Sequence, residues 1–289
     1  MIQIEPYTKE FEEEYLDTVL AHTDTGVREK IMTKYLQCLP GDFSGTEKSF
    51  EALILAPFDK LKEAHGYMSR MSWNRIEKKH IIKAYKAVAG AKKKGVSMRI
   101  RIVRNTGLTV CPYCNRDYIN CRSEDTSGAE MDHFYSIAKF PAFALCLYNL
   151  VPSCGNCNRI KNAGGGELAS PFDRSIDWGR DIVFSYLRKE MDEVEVTIEA
   201  HGFMKNNVDK IKIREAYQIH NVEVKELLEK CRVYSDSQRE EMREVLKEAK
   251  ISDEELKQII FGPKLDNENI RTKSLGKMMS DLHRELGIY

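Results

Sequence analysis

The chain of 289 residues has no long hydrophobic run and no excess of either charge. No stretch approaches the ~18 consecutive apolar residues that a membrane-spanning helix needs. Met1 is followed by Glu5, Lys9 and Glu10 instead of a basic and then apolar leader, so we expect a soluble, cytoplasmic protein with no membrane association. Only 8 prolines and 17 glycines are present, which excludes a collagen-like or low-complexity chain.

The absence of net charge hides one strongly basic segment. The 45 basic and 45 acidic side chains balance, which argues against a chain that coats nucleic acid by bulk electrostatics. Between residues 70 and 104, however, twelve lysines and arginines face the single acid Glu77. We predict that this segment, and Lys92, Lys93 and Lys94 in particular, contacts nucleic-acid phosphates. The alternative is a solvated helix face with no partner.

Four of the eight cysteines are arranged in two Cys-x-x-Cys pairs, Cys111 with Cys114 and Cys154 with Cys157. Two pairs match a closed tetrahedral site for structural zinc. The 39 residues between the pairs exceed the usual zinc-ribbon gap of ~15–20 residues, so a folded segment is expected inside the loop. A redox Cys-x-x-Cys is the competing interpretation, but it leaves the second pair without a role.

The chain divides into three regions by sequence character. Residues 1–104 have helical spacing of apolar residues, for example from Trp73 to Val88, and include the basic segment 70–104. Residues 105–172 carry all the paired cysteines. Residues 173–289 are mainly helical, with one strand-like stretch at 194–198 and capping-box patterns that begin at Ser235 and Ser252. No repeat and no nucleotide-binding glycine loop is present, so another chain would have to supply any ATP site.

The order Cys-x-x-Cys, Asp-His, Asn-Leu-Val-Pro and Cys-x-x-Cys-Asn-x-x-Lys, which runs from Cys111 to Lys161, resembles the zinc-stapled HNH endonucleases. The resemblance covers about 60 residues, and five elements in order are more specific than any one of them. It implies an α+β fold in which a small ββα-metal core with structural zinc, at 105–172, is flanked by mainly α-helical N- and C-terminal regions.

The same resemblance implies a role for each residue of a metal-dependent phosphodiesterase site. His133 is the general base, Asp132 is a metal ligand, and Asn149 orients the histidine ring through a backbone contact. Asn158 stands where the family has a second histidine and is the second ligand, and an amide oxygen suits Mg²⁺ or Mn²⁺. Neighbours on an extended strand point to opposite faces, so Asp132 and His133 need a twisted or ending strand to serve one site.

Two basic residues next to the second cysteine pair, Arg159 and Lys161, are candidate phosphate contacts on the predicted helix. Exposed basic residues are common on helices, so the alternative is a solvated helix surface without a phosphate contact.

Four short motifs carry a narrower resemblance: Cys111-Pro112-Tyr113-Cys114-Asn115-Arg116, Asp132-His133-Phe134, Phe140-Pro141 and the run from Asn149 to Cys154. These motifs resemble those of the HNH subunits of Septu-type and retron-linked antiphage systems, the PtuB-like proteins. The resemblance implies a role in bacterial defence together with an ABC-type, PtuA-like ATPase. The acidic residue before the histidine is often Glu in that group and is Asp here.

The sequence therefore predicts an HNH endonuclease that hydrolyses phosphodiester bonds, with DNA as the favoured nucleic acid. One alternative is a non-catalytic zinc module that binds nucleic acid or protein. The other is an RNA-cleaving, toxin-like nuclease that uses the same site.

Overall fold

The computed structural model describes residues 2–40, 48–68, 72–162, 167–247 and 250–289, and it combines many helices with small antiparallel sheets. The predicted α+β class is confirmed at this level. Arg70, the first residue of the predicted basic segment, lies outside the described residues. Among the helices of the described ranges, none is both long enough and apolar enough to cross a membrane.

The chain forms two compact units, residues 1–178 and 179–289. The first unit contains all residues of the predicted site, and the second contains the predicted C-terminal helices. The boundaries at 104 and 172 follow changes in sequence character and stay a prediction.

Helices dominate the first half of the first unit. Side-chain caps mark several of their starts: Thr8 accepts from the amide of Phe11, and Asn74 forms a reciprocal capping box with Glu77. The helix predicted from Trp73 to Val88 is present as α5 (Arg75–Gly90), whose buried face includes Ile81, Ala84 and Val88. The helices are α1 (Lys9–His22), α2 (Thr25–Cys38), α3 (Phe50–Ile54), α4 (Phe58–Met68), α5 (Arg75–Gly90) and α6 (Met98–Asn105).

A short exposed hairpin joins α5 to α6. Its strands are β1 (Lys92–Lys93) and β2 (Val96–Ser97), and they pair antiparallel. The turn residues Lys94 and Gly95 both have positive φ, at 50° and 84°, as a tight two-residue hairpin requires. The hairpin therefore presents the three consecutive lysines 92–94 to solvent.

A second hairpin, followed directly by a helix, carries the predicted site. Strand β3 (Glu130–His133) pairs antiparallel with β4 (Leu150–Ser153), in a register that places Asp132 opposite Val151. Helix α7 (Gly155–Lys161) follows β4 directly, and Cys154 is its N-cap. Two 3-10 turns, Pro141–Phe143 and Leu147–Asn149, lie in the connection between the strands. Because side chains alternate along a strand, Glu130 and Asp132 share one face of β3 and His133 lies on the other.

The second unit is built on one long hairpin covered by helices. Strand β5 (Ile182–Arg188) pairs antiparallel with β6 (Val194–Ala200), which contains the predicted strand. Ser235 and Ser252 are N-caps as predicted, and Ser252 forms the complete capping box with Glu255. The helices are α8 (Gly202–Ile211), α9 (Ile213–Tyr217), α10 (Asn221–Val233), α11 (Asp236–Val245), α12 (Asp253–Phe261), α13 (Asn267–Thr272) and α14 (Gly276–Glu285).

Candidate metal centre and active site

The four paired cysteines lie together in one buried cluster, although one pair precedes β3 in the chain and the other lies at the start of α7. The sulfur atoms of Cys111, Cys114, Cys154 and Cys157 all lie within 4.8 Å of one another. Tetrahedral zinc with Zn–S bonds of ~2.3 Å holds its sulfurs about 3.8 Å apart, so a small contraction of this cluster fits the ion. The predicted cysteine cluster is confirmed as a group that can hold a metal ion such as zinc.

Local backbone geometry prepares the sulfurs for metal. The amide of Arg116 donates to the Cys114 sulfur, and the amide of Cys157 donates to the Cys154 sulfur, each at 3.4 Å. Hydrogen bonds from the neighbouring cysteines hold the pKa of the Cys114 thiol well below its ordinary value, whereas burial raises the pKa of Cys111 and hydrogen bonds within the cluster raise that of Cys157. Metal binding requires thiolates, so the ion must displace the protons that Cys111 and Cys157 keep without it.

Tyr113 connects the cysteine cluster to the predicted catalytic strand. It lies between Cys111 and Cys114, is fully buried, and donates its hydroxyl to Asp132 Oδ2 at 2.6 Å. Burial, together with the nearby Asp132 carboxylate, raises the pKa of Tyr113 well above its ordinary value, so the hydroxyl keeps its proton. The loop between Cys111 and Cys114 thus holds one oxygen of Asp132 in place.

The Asp132 carboxylate also forms a buried ion pair with Lys161 from the end of α7. The Lys161 ammonium lies 3.0 Å from Oδ2 and 3.1 Å from Oδ1. It also donates to the Phe134 carbonyl at 3.0 Å and lies 5.2 Å from the centre of the Phe134 ring. The Lys161 side chain is fully buried and Asp132 is 3% exposed. Both carboxylate oxygens therefore have partners within the protein.

His133 lies on the opposite face of β3, at the end of the strand. Its Nε2 lies 3.1 Å from the carbonyl oxygen of Ala144, and a carbonyl only accepts, so Nε2 carries the proton in the neutral ring. The lone pair is then on Nδ1, which has no hydrogen-bond partner among the described residues. The ring of Tyr85, on α5, packs edge-on at 4.4 Å between ring centres. Burial lowers the pKa of His133, against a smaller opposing effect of the Ala144 carbonyl.

Asn149 is buried and links two backbone segments near His133. Its Oδ1 accepts from the Tyr135 amide at 2.7 Å. Its Nδ2 donates to the carbonyls of Tyr135 at 3.1 Å and Phe143 at 2.9 Å. Tyr135 lies two residues after His133, and Phe143 immediately precedes Ala144. Asn149 thus holds the strand end against the segment whose carbonyl contacts the histidine ring.

Asn158 and its neighbour Arg159 on α7 both approach the side chain of Glu130, the first residue of β3. Its Nδ2 donates to Glu130 Oε2 at 2.9 Å, and Arg159 lies 3.6 Å from the other oxygen of Glu130. A Cβ at Gly155 would lie 2.7 Å from that second oxygen, so the Glu130 side chain packs closely on the first turn of the helix. The contacts of Asn158 within the described residues are with Glu130 and not with Asp132.

The structure thus distributes the predicted residues over two faces of one hairpin. Asp132 and Lys161 meet between β3 and α7, His133 faces α5, and Asn149 supports the segment that contacts His133. The predicted phosphate contact at Lys161 is wrong for this conformation, because its ammonium is buried against Asp132. The other predicted phosphate contacts, Arg159 and lysines 92–94, are exposed.

Among the residues that contact Asp132 or His133, Tyr113, Tyr85 and Ala144 were not predicted from the sequence as members of the site. Tyr113 had a local signal, since it stands inside the first Cys-x-x-Cys pair. Tyr85 and Ala144 had none, because they are distant from His133 in the chain.

Neither the protein-family models, the curated proteins nor the solved structures that were compared with this chain give a match.

Proposed function

We propose that this protein is a phosphodiester hydrolase of the HNH type, with a nucleic acid, in the first instance DNA, as substrate. The arrangement of β3, β4 and α7 supports the proposal, because an antiparallel hairpin followed by a helix is the ββα core that the motif resemblance implies. The two cysteine pairs, one before β3 in the chain and one at the start of α7, fit the structural zinc of that family. The observation that carries the proposal is the state of His133, whose held Nε2 leaves Nδ1 as the proton acceptor.

The chemistry of His133 follows from this geometry. Nδ1 takes a proton from a water molecule whose oxygen attacks phosphorus, and the ester bond to the leaving oxygen breaks as the new P–O bond forms. The lowered pKa keeps the imidazole neutral at pH 7, which a base requires. The Ala144 carbonyl and the Tyr85 ring fix the orientation of the imidazole.

The residues proposed to bind a catalytic Mg²⁺ or Mn²⁺ do not fit such an ion as they are arranged. Both oxygens of Asp132 are engaged by Lys161 and Tyr113, and Asn158 contacts Glu130. A hard cation with oxygen ligands at ~2.1 Å would need that carboxylate free.

Substrate binding is proposed for the exposed basic residues. Lysines 92–94 lie on the hairpin that directly follows α5, the helix that packs Tyr85 against His133. Arg159 is exposed on α7. Positive charge at these positions would attract the phosphate backbone in a salt-dependent manner.

A role in antiphage defence, with a PtuA-like ATPase of the ABC type, is part of the proposal. It rests on the resemblance of the motifs around Cys111, Asp132 and Asn149 to the PtuB-like proteins. The absence of a nucleotide-binding glycine loop in this chain agrees with an ATPase supplied by a partner.

The test is cleavage of supercoiled plasmid, single-stranded DNA and structured RNA, with Mg²⁺ or Mn²⁺, by the wild type and by His133→Ala. His80→Ala, which removes an exposed histidine from α5, is the matched control. Loss of the base should lower the rate by about 100-fold or more while zinc content stays at about one per chain. Cleavage by folded His133→Ala at the wild-type rate would refute the proposal, and the panel decides between DNA and the RNA-cleaving alternative.

A non-catalytic zinc module is the second candidate, and the buried contact of Asp132 with Lys161 and Tyr113 favours it. These contacts join the loop between Cys111 and Cys114 to β3 and α7. They give Asp132 a structural role that requires no catalytic activity. The same panel separates the candidates: no cleavage of any substrate, even with a PtuA-like ATPase and ATP added, would favour the binding module.

A further inference from the structure

Lys161 is a fully buried lysine that contacts the carboxylate of Asp132. The resemblance to the HNH endonucleases implies that this same carboxylate binds a divalent cation. Lys161 is the last residue of α7, three positions after Asn158, so both side chains lie on the face of the helix that packs against β3. Its ammonium reaches both oxygens of Asp132 and two main-chain carbonyls, those of His133 at 3.4 Å and Phe134 at 3.0 Å.

These contacts reproduce what a bound cation would do for Asp132. The ammonium neutralises the carboxylate, and the backbone carbonyls and the face of the Phe134 ring complete its surroundings. The Tyr113 hydroxyl donates a second hydrogen bond to the Asp132 carboxylate, at Oδ2. A second positive charge cannot enter a pocket whose carboxylate is 3% exposed while the ammonium stays there.

We propose that Lys161 keeps divalent cations off Asp132 in the resting protein, so that the cation binds only when Lys161 leaves the carboxylate. The inference rests on the proposed function, since it concerns the same site, and it adds a form of regulation to it. Breaking a buried ion pair is unfavourable enough to lower the apparent affinity for the cation by about 100-fold.

The experiment is a titration with Mn²⁺ of the full chain loaded with zinc, followed by electron paramagnetic resonance of free Mn²⁺. Lys161→Met is expected to bind one Mn²⁺ about 100-fold more tightly than the wild type, because the carboxylate is no longer paired. Lys161→Met combined with Asp132→Asn should return to the weak binding of the wild type, which assigns the ion to Asp132.

Two matched controls separate this effect from a general change in charge or burial. Arg159→Met removes a positive charge from the same helix and leaves the Asp132 pair intact. Lys277→Met removes another buried lysine, which lies 2.6 Å from Oδ1 of Asp281 in the second unit, but this carboxylate keeps Arg284 at 3.6 Å as a cationic partner. Neither control should tighten Mn²⁺ binding. Equal tightening by Arg159→Met and Lys161→Met would overturn the proposal.

Lys161→Gln is a second variant, because a buried amide can still donate to the Phe134 carbonyl if methionine destabilises the fold. Folded Lys161 variants that bind Mn²⁺ no better than the wild type would overturn the proposal. A result with the wild type alone can also overturn the proposal. If the wild type binds one Mn²⁺ tightly and Asp132→Asn does not, Lys161 does not keep the cation off Asp132.

Binding of Mn²⁺ is measured without any substrate, so this test and the cleavage test fail separately. Tightened binding in Lys161→Met without cleavage by any form would keep the exclusion by Lys161 and refute the proposed hydrolase. Cleavage that depends on His133, with unchanged Mn²⁺ binding in Lys161→Met, would support the proposed hydrolase and refute the exclusion of the cation by Lys161.

Discussion

Replacement of Asn149 by alanine tests how the site is held together. Asn149 has no exposed surface, and its side chain forms three hydrogen bonds with the backbone of Tyr135 and Phe143. Alanine leaves one amide and two carbonyls in the interior without these partners. A buried backbone group that loses its hydrogen bond costs about 1–3 kcal/mol. We expect Asn149→Ala to lower the free energy of unfolding of the first unit by about 3 kcal/mol, since relaxation recovers part of the sum.

Asn149→Asp is the sharper comparison because it preserves the shape of the side chain. One oxygen still accepts from the Tyr135 amide, but the other replaces the donor and faces the carbonyls of Tyr135 and Phe143. Burial and repulsion raise the pKa of the new carboxyl in the folded state above its unfolded value of ~3.9. A raised folded pKa means that stability is greatest at low pH and is lost as pH rises. We therefore expect Asn149→Asp to be less stable than Asn149→Ala at pH 7, with a smaller deficit at pH 5.

Urea unfolding of the protein loaded with zinc, followed by tryptophan fluorescence, measures these changes. The chain has 2 tryptophans, Trp73 and Trp178, and both lie in the first unit, so the signal reports on the unit that contains Asn149. Unfolding free energies of both variants within about 0.5 kcal/mol of the wild type would refute the reasoning, because that is the range of neutral surface substitutions. An aspartate variant more stable than the alanine variant at pH 7 would refute the assignment of the two donor contacts.

Three further predictions concern the metal, the acid side of the stability profile and the basic hairpin. Cys111→Ser should lose zinc and unfold the first unit at a lower temperature than the wild type by calorimetry; an unchanged zinc content would contradict the cysteine site. The hydrogen bond from Lys34 is the largest of the effects that lower the pKa of Glu77 to about 2, so the contribution of Glu77 to stability is complete above about pH 4.5 and disappears as pH falls toward 2. The stability difference between the wild type and Glu77→Gln in urea should therefore vanish in acid, and a constant difference would contradict this. Substitution of lysines 92–94 by glutamine should reduce the slope of log binding constant against log salt by about 0.9 for each phosphate of duplex DNA that these lysines neutralise, and an unchanged slope would identify them as a solvated surface. The control is the triple glutamine variant of the exposed lysines Lys205, Lys210 and Lys212.

The features that were predictable from the sequence are those set by local geometry. The start of α12 at Ser252 follows from a capping box of four residues, and α5 follows from the spacing of its apolar face. The cysteine cluster was predictable because two residues between cysteines place both sulfurs on one turn. Strand β6 was predicted, but its partner β5 was not, because pairing depends on the distant chain that meets it.

The candidate site shows the same limit. Strand alternation predicts that Asp132 and His133 point to opposite faces, but the expectation that a twisted or ending strand brings both to one site is not met, because Asp132 contacts Lys161 and His133 contacts Tyr85. The pairing of Lys161 with Asp132 joins residues 29 positions apart in the chain, and nothing in the sequence distinguishes a buried lysine on α7 from the exposed Arg159 two residues earlier. Burial here depends on which face of α7 packs against β3, a tertiary property.

Chemical rescue of His133 is the most direct test of the central claim, that the free nitrogen of this ring accepts the proton of the attacking water. In His133→Gly the removed ring leaves a space between Tyr85 and the Ala144 carbonyl that imidazole in solution can occupy. We expect this variant to cleave nucleic acid at least about 100-fold more slowly than the wild type, and added imidazole to restore part of the rate. A zinc-loaded, folded His133→Gly protein that cleaves at the wild-type rate without imidazole would contradict this expectation.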